Sequence, residues 1–438
     1  MTEEVEALID QLLASQWRGP GPIDRTIHPA DEMLGYLAEI HGRDPLRGAL
    51  HYFATALGIV DTYDQAIAWR FGGWEKVERM LDFASGFGRA TRFLVHRLPP
   101  ERLTIAEIVP EAVAFQREQF GVTALASTTR AEDFEHPGGF DAVFVTSLFT
   151  HLPEPTFRAW LARLAALRRP GGLLAFTTHD MSLLVEEHRA KAGDLYFLST
   201  SESQVLDHED YGTTWVQEEF VRRLIEEVAP GSVAHRIPRG LLNFQDLWLV
   251  VDANVPGLDA PAFHGTIEGM PDRVQFREDR RLVVSGWCYD PGWNDPPARA
   301  TVMIDGQVVG TSEDFGPRPD VAKVLNLTGT EAFGWEVVVP YDLPPPLHSH
   351  LLYLKVQTRS GRERFLWGHN LESTLRVGAE AEVEALRARL AKTEAELKTT
   401  IGKLEHRLSA IEASRFWRAR NAWFRLKQKA GLIDEIWP

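Results

Sequence analysis

Residues 81–94, Leu-Asp-Phe-Ala-Ser-Gly-Phe-Gly-Arg-Ala-Thr-Arg-Phe-Leu, restrict the fold more than any other stretch of the chain. Met80, Leu81 and Phe83 make a short apolar strand with Asp82 near its carboxyl end. Ala84, Ser85, Gly86 and Gly88 then let the backbone turn tightly beside a ligand, and Thr91, Phe93 and Leu94 resume at helical spacing. Strand, small-residue turn and helix in that order open a parallel α/β sheet.

Dinucleotide enzymes place G-x-G-x-x-G at this point to bring a diphosphate onto the helix N-terminus. The three glycine positions here hold Ala84, Gly86 and Arg89, and a large third side chain hinders close packing of helix on strand. Asp82 would repel a diphosphate and attract an ammonium group. That combination selects an adenosyl cofactor without phosphates, S-adenosylmethionine. Leu103 to Glu107 reads as the second strand, and Glu107 ends it where ribose hydroxyls lie in such folds. The bland alternative, two ordinary strand-end acids in another doubly wound protein, does not account for the turn between them.

The pattern continues through a helix over 111–120, a strand over 123–128, and Phe140-Asp-Ala-Val-Phe-Val-Thr-Ser, whose apolar run suits a central strand covered on both faces. An amphipathic helix over 155–167 and Arg169-Pro-Gly-Gly lead into Leu173-Leu-Ala-Phe-Thr-Thr-His. A polar insertion over 181–211 is expected above the carboxyl ends of the strands. A helix over 216–228 and an antiparallel pair near 233–237 and 247–251 close the domain. Upstream, a short helix carrying Val5, Leu8, Ile9, Leu12 and Leu13 ends at the Gly-Pro-Gly-Pro break of residues 19–22, and a helical stretch over 31–79 covers the sheet edge or roofs the cofactor.

Residues 45–252 resemble a class I S-adenosylmethionine-dependent methyltransferase, most specifically in Asp82-Phe-Ala-Ser-Gly-Phe-Gly-Arg, Glu107, Phe140-Asp-Ala-Val and Pro170-Gly-Gly. The resemblance implies that Asp82, Ala84, Gly86 and Gly88 shape the methionine end, that Glu107 holds the ribose hydroxyls, and that Ser147 and Leu148 lie under the cofactor. Ala84 stands where the family usually has glycine, a change of little consequence if its backbone conformation is ordinary. Ser127 or Thr128 replaces the usual acid near adenine.

After a Pro- and Gly-bearing linker, 253–264, the period changes to two in Arg281-Leu-Val-Val-Ser-Gly-Trp-Cys-Tyr and three later runs, with Asp305-Gly306 as a hairpin signal. Residues 265–372 thus read as a β-sandwich. Gly286-Trp287, Arg318-Pro-Asp-Val321 and Gly334-Trp335 resemble accessory sandwich domains found beside bacterial surface-polysaccharide enzymes. Trp287 and Trp335 fall in strand patterns, so core is the first expectation for both and sugar stacking the second. Val383, Leu390, Leu397, Leu404 and Ile411 recur every seven residues in a long helix, 376–413, while a second line, Leu386, Thr393, Thr400 and Arg407, is mostly polar. A coiled-coil homodimer through 381–413 and a lone stalk both remain open.

The tail, 414–438, reverses the charge of the chain. With 62 acidic against 47 basic residues the chain carries a net charge of -15, which disfavours nucleic acid partners. Yet 414–429 has cations and aromatics and no acid, which suits an interfacial helix on an anionic membrane, docking on protein, or more remotely RNA. A single cysteine, Cys288, leaves no internal disulfide and no cysteine cluster for a metal. The N-terminus lacks a basic-then-apolar leader and no apolar run reaches about 18 residues, so a cytoplasmic protein, able to sit at the inner face of the cell membrane, is expected.

The sequence therefore predicts a Rossmann-like seven-stranded α/β methyltransferase domain (45–252) behind an N-terminal helical extension (1–44), followed by an all-β sandwich and a long helix. A hydroxyl acceptor needs a general base, and His151 and His179 lie at strand ends on the ligand edge, ahead of Asp180 and Tyr211. Each histidine also has a structural reading. A sugar or glycan of a surface polysaccharide is the first expected acceptor; a small molecule or a protein is the second, and a non-catalytic cofactor-binding adapter the third.

Overall fold

The protein is described by a computed structural model at residues 6, 9–10, 12–14, 17, 19–201, 203, 206–255, 259–277, 281–291, 295–325, 327, 332–340, 350–413 and 415–431. Met1–Thr374 is one compact unit and Leu375–Pro438 another. Val5 and Leu8 of the expected first helix lie outside the described residues; Ile9, Leu12 and Leu13 are buried.

Helix α1 (Glu32–Ile40) starts on an Asp31 cap, and α2 (Pro45–Phe71) is fixed by its own sequence at both ends. The Asp44 carboxylate accepts from the N–H groups of Leu46 and Arg47, Pro45 opens the first turn, and Gly72 closes the helix at φ 83°. Phe53, Ala56, Val60, Tyr63 and Ile67, three and four residues apart, form its buried stripe.

The sheet follows as β1 (Met80–Phe83), β2 (Leu103–Glu107), β3 (Thr123–Ala126), β4 (Phe140–Val145), β5 (Arg168–Asp180), β6 (Leu195–Leu198), β7 (Thr213–Val216), β8 (Ser232–Leu241) and β9 (Gln245–Asp252). Its intervening helices are α3 (Thr91–Leu94), α4 (Pro110–Phe120), α5 (Glu154–Ala166), α6 (Glu186–Arg189) and α7 (Glu218–Val228). Strands β3, β2, β1, β4 and β5 are parallel in that order; β9 pairs antiparallel with β5, and β8 with β9. These are the seven strands expected, but the sheet has nine. The insertion contributes β6 and the residues just after it β7, and this hairpin joins because β5 runs on past the sheet and pairs His179 with Trp215 and Asp180 with Val216; Val216, expected to open a helix, ends a strand instead. The helix after the glycine turn is also shorter than its pattern implied: α3 is one turn, and Pro99-Pro100 stops the chain soon after.

Period-two alternation decides which way β1 points its acid. Met80, Ala142, Phe144, Leu173 and Ala175 join the core beneath α2, whereas Leu81, Phe83, Val143, Val145, Leu174 and Phe176 join the core beneath α5 and α7. Asp82, in step with Met80, therefore faces the α2 side.

Beyond β9, the chain is tied back to this domain by Trp69 Nε1 donating to the Asp259 carbonyl (3.1 Å) and by Gln65 Oε1 accepting from the His264 N–H (3.0 Å). Residues 256–258 of the linker lie outside the described residues. Two four-stranded antiparallel sheets follow. One orders β10 (Glu268–Phe276), β11 (Arg281–Tyr289), β15 (Ala332–Pro340) and β14 (Gly316–Pro317); the other orders β13 (Gln307–Ser312), β12 (Pro297–Ile304), β16 (Leu351–Thr358) and β17 (Glu363–Asn370). Trp335 is buried and Trp287 half-buried beside Tyr289, so neither is an open sugar platform. The short helix α8 (Pro319–Val324) follows Arg318, which bonds Asp272 at 2.6 Å. Gly334 leaves the room this needs, since a Cβ there would lie 2.5 Å from Arg318 Cγ.

In the second unit, α9 (Leu371–Ala413) is one continuous helix and α10 (Arg415–Lys429) follows it. Val383, Leu390, Leu397 and Leu404 are exposed, and so are Ile401 and Leu408, four residues after Leu397 and Leu404. That second apolar line is displaced by one position from the polar one read in the sequence. The side chains of Ile411 and Phe416, and residues 432–438, lie outside the described residues. No helix among the described residues is long and apolar enough to cross a membrane.

Candidate active site

The carboxyl ends of β1, β2, β4 and β5 bring the predicted residues to one edge in two groups. The first surrounds Asp82. Tyr63 of α2, fully buried against the Phe144 ring, donates its hydroxyl hydrogen to Asp82 Oδ1 at 3.1 Å, and its oxygen lies 2.7 Å from Thr146 Oγ1. Burial pushes the Asp82 carboxyl up to about 7; the Tyr63 hydrogen bond opposes that shift and the charge of Glu107 adds to it. Glu107 is buried too. Its Oε2 accepts from the Gly86 N–H (2.8 Å) and its Oε1 from Ile108 (2.7 Å) and Val109 (3.2 Å). Burial raises its pKa against those three donors. Among the described residues no cation forms an ion pair with either acid.

Backbone conformation at this edge is unusual. Ala84 has φ 58° and Ser147 φ 65°, so the residues after β1 and β4 are both left-handed without being glycine. The condition under which Ala84 would be an easy exchange for glycine is therefore not met. Ala84 N–H donates to the Ala106 carbonyl (2.8 Å), and Ser147 N–H to Thr177 Oγ1 (2.8 Å). Ser147 Oγ accepts from Gln245 Nε2 at 3.0 Å, with Leu148 half-buried beside it. Gly86, at φ 58°, has nothing within 4 Å of where a Cβ would stand, and Gly88 has Phe120 and Gln116 there. The open space is thus at Gly86, whose N–H bonds Glu107. Arg89 turns away toward α2, with Nη1 3.5 Å from Thr55 Oγ1.

Ser127 N–H pairs with the Glu107 carbonyl (2.8 Å), placing Ser127 next to that acid. The Thr128 hydroxyl is spent on the Arg130 carbonyl at 2.7 Å, in a local turn.

The second group lies at the end of β5. His151 donates Nδ1–H to the Gly212 carbonyl (2.7 Å) and stacks on Tyr211 with ring centres 4.4 Å apart. His179 is 8% exposed, and its Nδ1 has no hydrogen-bond partner. Its pKa is lowered to about 4, chiefly by burial and further by His151, with the Thr214 backbone opposing both. Asp180 is committed elsewhere, accepting from Ser182 N–H (2.8 Å) and Arg236 Nη2 (2.7 Å).

Tyr63, Thr146, Thr177 and Gln245 were not legible as site residues. Tyr63 lies within the helical stretch 31–79, but a buried tyrosine on a helical stripe signals core unless its neighbour across the sheet is known.

An edge with two buried acids, no opposing cation and an opening beside Gly86 fits a ligand that brings a positive charge and hydroxyl groups. Residues 80–172 match the family profile described as "Methyltransferase domain". A malonyl-[acyl-carrier protein] O-methyltransferase of Prosthecochloris aestuarii is 26% identical over 179 residues, 39% of this chain and 64% of the relative. A biotin biosynthesis bifunctional protein of Bordetella avium is 33% identical over 116 residues, 26% of this chain and 24% of the relative. The chain spans less than two thirds of either relative's length. Among solved structures, the Burkholderia thailandensis 1,6-didemethyltoxoflavin-N1-methyltransferase with bound 1,6-didemethyltoxoflavin and S-adenosylhomocysteine is 18% identical at a TM-score of 0.33, over 53% of this chain and 93% of that one. Because the family match lies over the glycine turn, both acids and β1 to β4, this part of the chain is a class I methyltransferase domain whose cofactor is S-adenosylmethionine.

Proposed function

We propose that the chain moves the methyl group of S-adenosylmethionine to a hydroxyl oxygen of a sugar in a bacterial surface polysaccharide or its precursor. In this reading Asp82 receives the cofactor's ammonium, Glu107 the ribose hydroxyls, and the backbone of Ala84, Gly86 and Gly88 the methionine end. Ser147 and Leu148 lie beneath the cofactor, and Ser127 and Thr128 toward adenine. The cofactor supplies a methyl group on a sulfonium whose charge disappears on transfer. The protein's part is to align the acceptor, exclude water and take a proton.

The observation that carries an oxygen acceptor is the buried, unpartnered Nδ1 of His179. With its pKa near 4 the ring is neutral at physiological pH, so Nδ1 carries an unprotonated lone pair behind the rings that cover it. Such a ring is a weak base toward a free hydroxyl. The forming C–O bond turns that hydroxyl into an oxonium, which is acidic enough to give it a proton. His151, whose Nδ1–H is held by a carbonyl, orients the loop beside it.

The glycan part rests on domain company alone, the resemblance of the antiparallel region to domains beside polysaccharide enzymes. Exposed leucines along α9 support a homodimer, and the acid-free α10, with exposed Trp423 and Leu426, supports contact with the inner face of the membrane. The relative from Prosthecochloris, an O-methyltransferase for malonyl-[acyl-carrier protein], favours a second reading with a protein-borne or small acceptor.

Incubating the purified chain with methyl-labelled cofactor and a lysate of its host lacking this gene, then separating glycan, lipid, protein and small molecules, decides between them. Label in glycan or glycolipid, absent with Gly86→Asp, is the expected result. Label confined to protein or small molecules transfers the conclusion to the second reading, and cofactor binding without any label leaves an adapter.

A further inference from the structure

The insertion does more than lengthen the sheet. In the β5–β7 pairing His179 stands beside Trp215, and in the β6–β7 pairing Trp215 stands opposite Tyr196. Directly paired residues share a face, so the three rings form one row across three strands. Ring centres are 6.0 Å apart for His179 and Trp215, and 6.3 Å for Trp215 and Tyr196. The row extends at both ends. Phe244 meets His179 edge-on at 5.1 Å, and His188 holds the Tyr196 hydroxyl at 2.7 Å through Nδ1.

Phe244 is 52% exposed, and its position is built. Leu242 and Asn243 adopt φ 53° and 56°, and the Asn243 side chain accepts from the Thr266 N–H at 3.0 Å, which clamps the β8–β9 turn to the chain beyond the linker. Positive φ at consecutive residues is the geometry of a tight hairpin turn, and with the Asn243 clamp it fixes the Phe244 ring in solvent beside the buried histidine.

We infer that Tyr196, Trp215, His179 and Phe244 form the acceptor platform, and that its ligand is an uncharged pyranose ring lying with its C–H face on the row and a hydroxyl at His179 Nδ1. Two features select that chemistry. The rings are tilted from one another by 35°, 49° and 65°, so no pair makes the parallel walls that clasp a flat heteroaromatic, whereas a saturated ring can touch each in turn. The neighbouring guanidinium groups are spent: Arg236 on Asp180, Asp246 and Glu218, Arg222 on Glu218, Arg223 on Asp194, and Arg189 on the carbonyls of Ser182 and Leu184. A phosphorylated acceptor would find none of them free.

This inference rests on the sugar O-methylation proposed above, and it is tested by binding so that the two can fail separately. Saturation-transfer NMR on the full chain loaded with S-adenosylhomocysteine uses methyl α-D-glucopyranoside and methyl α-D-mannopyranoside as probes. Transfer to the ring C–H protons is expected, with affinity about tenfold weaker in Trp215→Ala. Unchanged S-adenosylhomocysteine affinity shows that the variant is folded. The platform is overturned by transfer that persists undiminished in Trp215→Ala, or by transfer to quinoline or mannose 6-phosphate and to neither pyranoside. Binding without methylation would keep the platform and remove the proposed reaction.

Discussion

The cofactor edge and the acceptor edge lie on one sheet and solve opposite problems. At the ends of β1 and β2, two acids are buried without a cation, and backbone N–H groups and one tyrosine hold them in place. At the end of β5, Asp180 and Asp246 are both paired with Arg236, and a neutral histidine among aromatic rings keeps an Nδ1 with no hydrogen-bond partner. One edge buries two acids away from any cation among the described residues; the other pairs its acids and leaves a neutral ring. On the proposed reading, the cofactor is held chiefly by electrostatics and the acceptor by shape.

The hardest test of that contrast is Gly86→Asp. The residue is left-handed, and a side chain there enters the open space beside the Glu107 carboxylate, adding a third acid and steric bulk. Cofactor affinity by calorimetry should fall by about 100-fold or more, the combined cost of strain and blockage. Pyranoside binding should be unaffected. Loss of both would show that the two edges are not separable.

His179→Phe probes the other edge. Phenylalanine keeps the ring between Trp215 and Phe244 and removes the lone pair, so kcat should drop by about 100-fold with cofactor affinity unchanged, the usual size of a lost general base. A change in KM alone would assign His179 to packing only.

Acidity separates the edges next. Asp82 is raised in the folded chain to about 7, so the native state holds a proton there that the unfolded chain releases near 4. Its contribution to stability is present at low pH and is lost as pH rises toward 7. His179 is lowered to about 4, so its contribution is present above 6.5 and is lost as pH falls toward 4. The two slopes oppose each other in the unliganded protein. Asp82→Asn should therefore remove one falling component and make stability rise more steeply, or fall less, between pH 4 and 6.5, measurable by denaturant unfolding. The cofactor's ammonium prefers the ionised Asp82, so cofactor affinity should increase about tenfold from pH 6 to 8, the change in ionised fraction for a group near 7. Asp82→Asn should abolish that increase.

The two edges were also unequally legible in the sequence. The cofactor edge is local: Asp82, Gly86 and Gly88 fall within seven residues, and Glu107 closes the next strand, so spacing alone placed them together. The proposed acceptor platform draws on positions 179, 196 and 215, related only by strand register, and on 244 in the β8–β9 turn; that register is set by pairing with the insertion, which the sequence presents as a polar loop, and with the residues just after it. His179 was found because it ends a strand; Trp215 and Tyr196 carry no such mark. The nine strands were missed for the same reason. The apolar line through Ile401 and Leu408 was missed because a helix admits its second stripe at either three or four residues from the first.

The smallest expected effect concerns the position where residue identity and conformation disagree. Ala84 carries a Cβ at φ 58°, for which a left-handed alanine costs about 1 kcal/mol relative to glycine. Ala84→Gly relieves that strain in the native state but gives the unfolded chain more freedom, and the two terms partly cancel. Because the native conformation is the unfavourable one for alanine, relief should win, with a net gain of up to about 1 kcal/mol in unfolding free energy and a Tm rise of a few degrees. Cofactor affinity should change less than about twofold, because the Ala84 N–H keeps its bond to the Ala106 carbonyl in either variant. If affinity instead falls by an order of magnitude while stability rises, the methyl group of Ala84 touches the cofactor, and shape as well as charge holds the methionine end.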